Sequence, residues 1–282
     1  MKLILNWGIK TNMIKYLRKT LIVLDLLQGK KVKTICFYPS KPISYDIMYW
    51  ICLINKYKVI NDLEKPADIY MYWEDDTYHS SELMQKYRGD WVNLDCIDIS
   101  KSKISSVFQK VFGYDIQIDP LKYDGYCVQK NDLNAKHDGK ILKCPIEEIN
   151  PDSIYQKLIN NQKNENLVVD IRVPIFKDFI PFVYLKYRNI NHRFLNTNDL
   201  AVIKPTHEIL NQFEIAKLIK FCNEIRMDYG ELDVLRDNED GQIYVVDANH
   251  CPSGPPNHLS FLSKFKSLIK LSKSFDKVFG RV

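Results

Sequence analysis

The sequence predicts an α+β protein whose N-terminal unit is an open α/β sheet. Three observations carry that fold class. Short apolar strands alternate with helical stretches up to about residue 100, the pattern of a partly parallel sheet. Beyond it lie two long strands in succession, one well-marked helix and a closing hairpin. The chain has 282 residues, 45% hydrophobic and 27% charged, enough apolar surface for about two packed domains.

The elements follow in order. Residues 12–28 read as a helix ending near Gly29, VKTICFYP as a strand, SYDIMYWICLINKY as a helix and ADIYMYW as a strand. SSELMQKYRG reads as helical and WVNLDCIDI as extended. KSKISSVFQKVFG reads as a helix stopped at Gly113. In the second unit GYCVQK is a strand, NDLNAKHDG a polar loop and KILKCPI a strand. NPDSIYQKLIN is taken as a short helix running into a strand, and NLVVDIRVPIF and FVYLKYR as long strands. In NQFEIAKLIKFCNEIRMDYG, Asn211 and Glu214 make a capping box, and Gly230 stands as the stop. Residues 231–249 form a hairpin, followed by Pro252, Pro255 and Pro256.

The net charge of +5 is concentrated. In 259–282 six basic residues stand against Asp276, so the remainder of the chain is balanced, and a nucleic-acid-binding body is excluded. The tail has helical apolar spacing. It reads as a basic amphipathic helix that packs on its own domain, with peripheral contact to an anionic membrane as the alternative. No apolar run of about 18 residues is present, so stable membrane insertion is not expected. The N-terminus carries no secretory signal, and seven cysteines without CxxC spacing suggest reduced thiols and a cytoplasmic setting.

The hairpin poses the chemical question. Side chains alternate along a strand, so Asp247 and Asn249 share a face. A tight loop in DNEDG, with Gly241 free to take positive φ, puts Asp233 opposite Asp247 with Cβ atoms about 5 Å apart. Two carboxylates that close repel each other unless a cation compensates them. Oxygen-only donors favour Mg²⁺ or Mn²⁺ completed by water and phosphate, whereas a solvated hairpin end is the plainer reading.

A phosphate binder is then required. Neither GxxxxGK[ST] nor GxGxxG occurs. YCVQKNDLNAKHDGKIL offers Lys130 at a strand end, beside a loop with one glycine, Gly139. The order of a lysine-bearing strand, a loop, IYQKLI, a DIR strand, a long helix and ELDVL…GQIYVVDANHCP resembles the ATP-grasp superfamily over about 103–256. DIRV and YRNINHRF look most like its RimK-type carboxylate–amine ligases.

That resemblance implies an ATP-grasp fold: a pre-ATP-grasp open sheet in 1–102, a two-lobed ATP-grasp domain in 103–258 (small lobe about 103–160, large lobe about 161–258), and the helix of 259–282. It implies ATP with Mg²⁺ (or Mn²⁺) on Asp233, Asp247 and Asn249. Lys130 and Lys103 would bind phosphates under a loop containing His137 and Gly139, helped by Asn134 and Lys136. Backbone groups of Gln156, Lys157 and Leu158 would meet adenine. Arg172 would steady the γ-phosphate or acyl phosphate, with Lys186, Arg188 and Arg193 near the transferred group or acceptor. The single loop glycine, Gln156 where an acid is frequent, and the lack of a clean ribose-binding acid (Glu165 being the nearest) depart from the family pattern.

The function implied is ligation of a small-molecule carboxylate to an amine, or to a thiol, through an acyl phosphate. A kinase of the same fold and an inactive nucleotide-binding or interaction protein are the alternatives. Arg172 is assigned to function rather than to an ion pair with Asp170, on the ground that neighbouring strand residues face opposite ways. Glu74, Asp75, Asp76 and His79 read as a solvated charge run, with metal or substrate binding at that loop as alternatives. His250 and Cys251 are adjacent and lack an ordered third group, so a thiol nucleophile is not expected.

Overall fold

The computed structural model describes residues 32–280 except 81, 83–89, 135, 137 and 196. The helices expected over 12–28 and 80–89 therefore lie wholly or mostly outside the described residues.

The first sheet is parallel, in the order β2-β1-β3-β4: β1 (Thr34–Pro39), β2 (Lys58–Ile60), β3 (Ile69–Trp73) and β4 (Trp91–Val92). The continuous apolar runs in β1 and β3 suit strands covered on both faces. Helix α1 (Ile47–Ile54) packs Met48 and Ile51 into the core of this sheet. The extended stretch expected over 91–99 shortens to two residues of strand.

Helix α2 (Lys101–Phe112) is capped by the Ser100 side chain and stopped by Gly113 at φ 87°. Its Ile104, Val107 and Phe108 pack not on the first sheet but into the core of the large one. The boundary expected at 102/103 therefore falls inside the first turn of this helix.

A three-stranded sheet follows, in the order β6-β5-β7: β5 (Gly125–Asn131), β6 (Lys140–Cys144) and β7 (Ser153–Lys157). The short helix expected before β7 is absent; a turn at 151–152 leads straight into the strand. Asn150 and Asp152 form that turn through the Asn150 side chain, a local bond that competes with helix.

The large sheet runs β11-β10-β9-β12-β13, with β8 (Gln162–Asn164) beside β9 (Leu167–Phe176). β10 (Val183–Asn189) pairs antiparallel with β9 and with β11 (Leu200–Lys204). After the short α3 (Thr206–Ile209), α4 (Gln212–Glu224) starts at the expected capping box. Gly230 is not its stop. The helix ends at Glu224, and Arg226 takes the positive φ of 59°. Gly230 instead lies within β12 (Tyr229–Arg236), where a Cβ would stand 2.5 Å from the Asn249 carbonyl oxygen. Its missing side chain lets the hairpin close.

β12 pairs with β13 (Ile243–Asn249) so that Asp233 faces Asp247 and Glu231 faces Asn249, the register read from sequence. A bulge after Asp233 shifts the remainder of the ladder by one. Gly241 has φ 70° in the loop. Helix α5 (Phe261–Phe279) buries Leu271, Phe275 and Phe279 in the first core, while Phe261, Leu262 and Phe265 at its start are exposed. Among the described residues no helix is long and apolar enough to cross a membrane.

Candidate active site

A cavity of about 370 Å³ lies between the three-stranded sheet and the large one. It is within the usual size for a small-molecule site. Eight Lys or Arg and six Asp or Glu line it, an excess of positive charge that suits an anionic ligand. Asp233, Asp247, Asn249, Arg172, Lys186, Arg188, Arg193, Lys130, Gly139, Gln156, Lys157 and Leu158 all line it. The fold thus gathers residues from six strands, with Gly139, Leu158 and Arg193 from connecting segments, on one space. His137 lies outside the described residues.

Of the two opposed aspartates, Asp233 has bonded positive partners. Asp233 is flanked in register by Arg172 on β9 and Asp247 on β13. Arg172 donates from Nε and Nη2 to the two carboxylate oxygens, each at 3.0 Å, and Lys186 on β10 adds a third bond at 3.0 Å. Burial alone would raise this carboxyl, but Arg172 and Lys186 outweigh it and hold Asp233 well below the usual carboxylate range. Asp247 has no such clamp. Its Oδ1 is buried without a hydrogen-bond partner; burial raises its pKa, Lys101 opposes the rise and Asp233 adds to it. Asn249 accepts the Cys251 amide through Oδ1 at 2.7 Å and keeps a second lone pair on that oxygen.

Glu231, two residues before Asp233, enters the same cavity with Oε1 unpartnered. Burial pushes its carboxyl up to about 7, against the pull of Arg172, whose Nη1 is 3.6 Å away. The folded chain therefore binds this proton more tightly than the unfolded chain does. Stability from this group is full below the ordinary value of 4.5 and declines as pH rises through about 7. Glu231→Gln is expected to stabilise the protein by up to about 3 kcal/mol at pH 8 and by little near pH 4.5. Urea melts at the two pH values check this, and an equal effect at both would contradict it.

On the opposite wall, Lys130 donates to Gln156 Oε1 at 2.9 Å, and Gln156 in turn donates to Ser105 at 3.0 Å. Burial brings Lys130 down to about 8, with Asp247 opposing the fall. Lys103 is corrected: it lies on the exposed face of α2 and does not line the cavity. Lys101 does, because it lies on the buried stripe of that helix, one turn before Ile104 and Ser105. The hinge assignment is narrowed. The amides of Lys157 and Leu158 already donate to the Ile116 and Tyr126 carbonyls, so they are not free for a base. The Lys157 ammonium pairs with Asp237 at 2.8 Å. What the linker offers a ring is apolar surface. Leu158 and Ile159 join Val128, Leu235 and Val246, and on the hairpin Leu235 and Val246 lie nearer its loop than Asp233 and Asp247 do.

Arg188 and Arg193 are held by the protein. Arg188 donates to Asp170 at 2.6 Å and to the Leu195 carbonyl at 2.6 Å. Arg193 donates to the Ile159 carbonyl at 3.0 Å and the Asn161 side chain at 2.8 Å. The face argument for Arg172 and Asp170 is also corrected. Two apart on one strand, they share the cavity face, yet Asp170 takes Arg188 and Arg172 takes Asp233. At Gly139 a Cβ would come within 2.7 Å of the Phe194 ring, so the loop glycine is what lets the two lobes touch there. Asn134 ties the same loop to β13 by donating to the Ala248 carbonyl at 3.2 Å.

No family model and no curated protein matches the sequence. Solved structures do match in fold. The chain is similar to the D-alanine–D-alanine ligase of Bacillus anthracis, with 12% identity, a TM-score of 0.54, and 89% of this chain aligned over 97% of that one. It is also similar to a RiPP-associated ATP-grasp ligase of Chryseobacterium gregarium solved with ADP and a leader and core peptide (12% identity, TM-score 0.52, 89% and 98% covered). A third is the ATP-grasp ligase PsnB with a phosphomimetic minimal precursor, Mg and ADP (10% identity, TM-score 0.54, 88% and 98% covered). At these identities the likeness is one of fold.

Proposed function

We propose, from the premise that this chain has the ATP-grasp fold, that it is an ATP-dependent ligase joining a substrate carboxylate to an amine. One juxtaposition carries the reading. Asp247 presents an unpartnered buried oxygen, and Lys130, a half-buried cation with no carboxylate partner among the described residues, lines the same cavity. An acid lacking a cation and a cation lacking an anion are the two halves of a metal–polyphosphate site.

Asp247 and Asn249 have the donors for Mg²⁺ or Mn²⁺, and Asp233 would join them by sharing its bonds with Arg172 and Lys186. When bound, the ion neutralises polyphosphate charge and makes ADP the better leaving group. Lys130 and Lys101 steady the phosphates from the other wall. Val128, Leu158, Leu235 and Val246 enclose the base. The substrate carboxylate oxygen attacks the γ-phosphorus and ADP departs. The amine nitrogen then attacks the acyl carbon, phosphate leaves, and Glu231 accepts the amine proton, a task suited to a carboxyl titrating near 7. The seven cysteines, all free thiols, accord with a reducing, cytoplasmic setting.

Two measurements test this. ADP release is expected to require both a carboxylate and an amine. Release with the carboxylate alone would favour a kinase, and tight Mg-ATP binding with no release for any pair would favour a nucleotide-binding protein. ATP affinity is expected to weaken about tenfold per unit above pH 8, as free Lys130 loses its proton. Calorimetry at pH 7 and 9 reads it, and a pH-independent affinity in the wild type would remove Lys130 from the phosphate site.

A further inference from the structure

Outside the cavity lining, buried polar atoms without hydrogen-bond partners converge at a second place. Asp76 Oδ1, His79 Nδ1 and His250 Nδ1 are among them. Asp76 and His79 come from the segment after β3, and His250 directly follows β13. His79 and His250 side chains are 5% and 1% exposed. One ligand atom from each of the three residues lies within 4.8 Å of the others.

Asp76 Oδ1 and His79 Nδ1 face each other unbonded, and His250 stands beside them with Nε2. His79 Nε2 lies 3.1 Å from the Leu94 carbonyl, which places its proton there and leaves the Nδ1 lone pair toward Asp76 Oδ1 at 3.7 Å. His250 Nε2 lies 3.4 Å from the same Oδ1 and donates to the Glu74 carbonyl oxygen at 3.1 Å, so an ion bound there would displace that proton. The other Asp76 oxygen accepts the Tyr72 hydroxyl at 2.5 Å, and the Tyr72 ring stacks on His79 with centroids 3.8 Å apart. Bonds of that kind to the far side of each ligand orient first ligands at metal centres.

We propose that Asp76, His79 and His250, with the Glu74 carbonyl, bind a divalent transition-metal ion at the seam between the first sheet and the large sheet. Tetrahedral ligands with bonds of 2.0–2.2 Å stand about 3.3–3.6 Å apart. Asp76 stands 3.7 Å from His79 and 3.4 Å from His250, His250 stands 3.1 Å from the Glu74 carbonyl, and ligand atoms of the two histidines lie within 4.8 Å of each other, so the imidazoles close on an ion by small rotations. Two imidazoles select zinc, cobalt or nickel over magnesium, so this site differs in chemistry from the oxygen set at Asp247 and Asn249. An ion here pins the segment after β3 to the exit of the hairpin, one residue beyond Asn249. The site stands on its own geometry and does not depend on the ligase reading.

The test uses the full chain, stripped with chelator and titrated with Co²⁺ in excess Mg²⁺. One equivalent is expected to survive gel filtration, with visible absorbance typical of nitrogen and oxygen ligands. His79→Gln and His250→Gln should each abolish it, and Cys251→Ser should retain it. X-ray absorption on the wild type should show two imidazoles and no sulfur, which decides the matter if a variant misfolds by circular dichroism. No retained equivalent would overturn the proposal. So would an equivalent that survives both substitutions, or sulfur in the shell.

Discussion

Asp247→Asn is expected to lose ATP turnover by about a thousandfold or more while unfolding at higher denaturant than the wild type at neutral pH. The two effects share one cause. Asp247 is a half-buried carboxylate that lies in register with Asp233, and its Oδ1 is buried with no bonded partner. Keeping it ionised there works against folding, so the neutral amide removes a repulsion and should stabilise by about 1–3 kcal/mol. The same charge is what a metal–nucleotide complex needs, and losing one metal-bound or transition-state contact of this kind typically costs about 10²–10³ in rate. Opposite signs for activity and stability distinguish this from damage to the fold. Initial rates of ADP release and urea midpoints on one preparation read both. Loss of activity accompanied by loss of stability would place Asp247 in the structural framework instead.

Arg172→Ala is expected to be the most damaging single change to the fold, by about 3–5 kcal/mol, because it leaves buried acids without their cation. Its guanidinium bridges β9 to β12 by two 3.0 Å bonds to Asp233 and lies 3.6 Å from Glu231. Lys186 remains on Asp233 but cannot supply the planar fork. Arg172→Lys should therefore recover only part of the loss. Raising Mg²⁺ should partly rescue Arg172→Ala, since a divalent ion on Asp233 and Asp247 replaces the missing charge. Denaturant titrations with and without Mg²⁺ measure this, and a loss under about 1 kcal/mol would show that the clamp is not what holds these strands.

The hairpin was legible because its information is local. Period-two alternation and one positive-φ glycine suffice to oppose Asp233 and Asp247, and the bulge falls beyond the pair. Glu231 was legible by the same alternation and was passed over. Lys101 could have been preferred to Lys103 by helix phase, since it lies three residues before Ile104, on the apolar stripe. Other features needed three dimensions. Which cation would settle on Asp233 depended on β9 lying between β10 and β12, a sheet order that no spacing encodes. The hinge's backbone groups are assigned to adenine by position, and that two of its amides are taken by the 116 and 126 carbonyls of neighbouring segments could not be read from it. Gly230 looked like a helix stop because it stands six residues after Glu224; its role in the close approach to Asn249 appears only when the hairpin is closed. The Asp76, His79 and His250 cluster joins residues too far apart in the chain for any local pattern to reveal.

The central claim is that Asp247, Asn249 and Asp233 gather one divalent ion on a nucleotide held between the lobes. The most direct measurement is a crystal grown with Mn²⁺ and a non-hydrolysable ATP analogue, with anomalous data collected for manganese. The account predicts one anomalous peak among those three side chains, with the polyphosphate running from it toward Lys130. An analogue bound elsewhere, or bound in the cavity with no peak at these carboxylates, would contradict it.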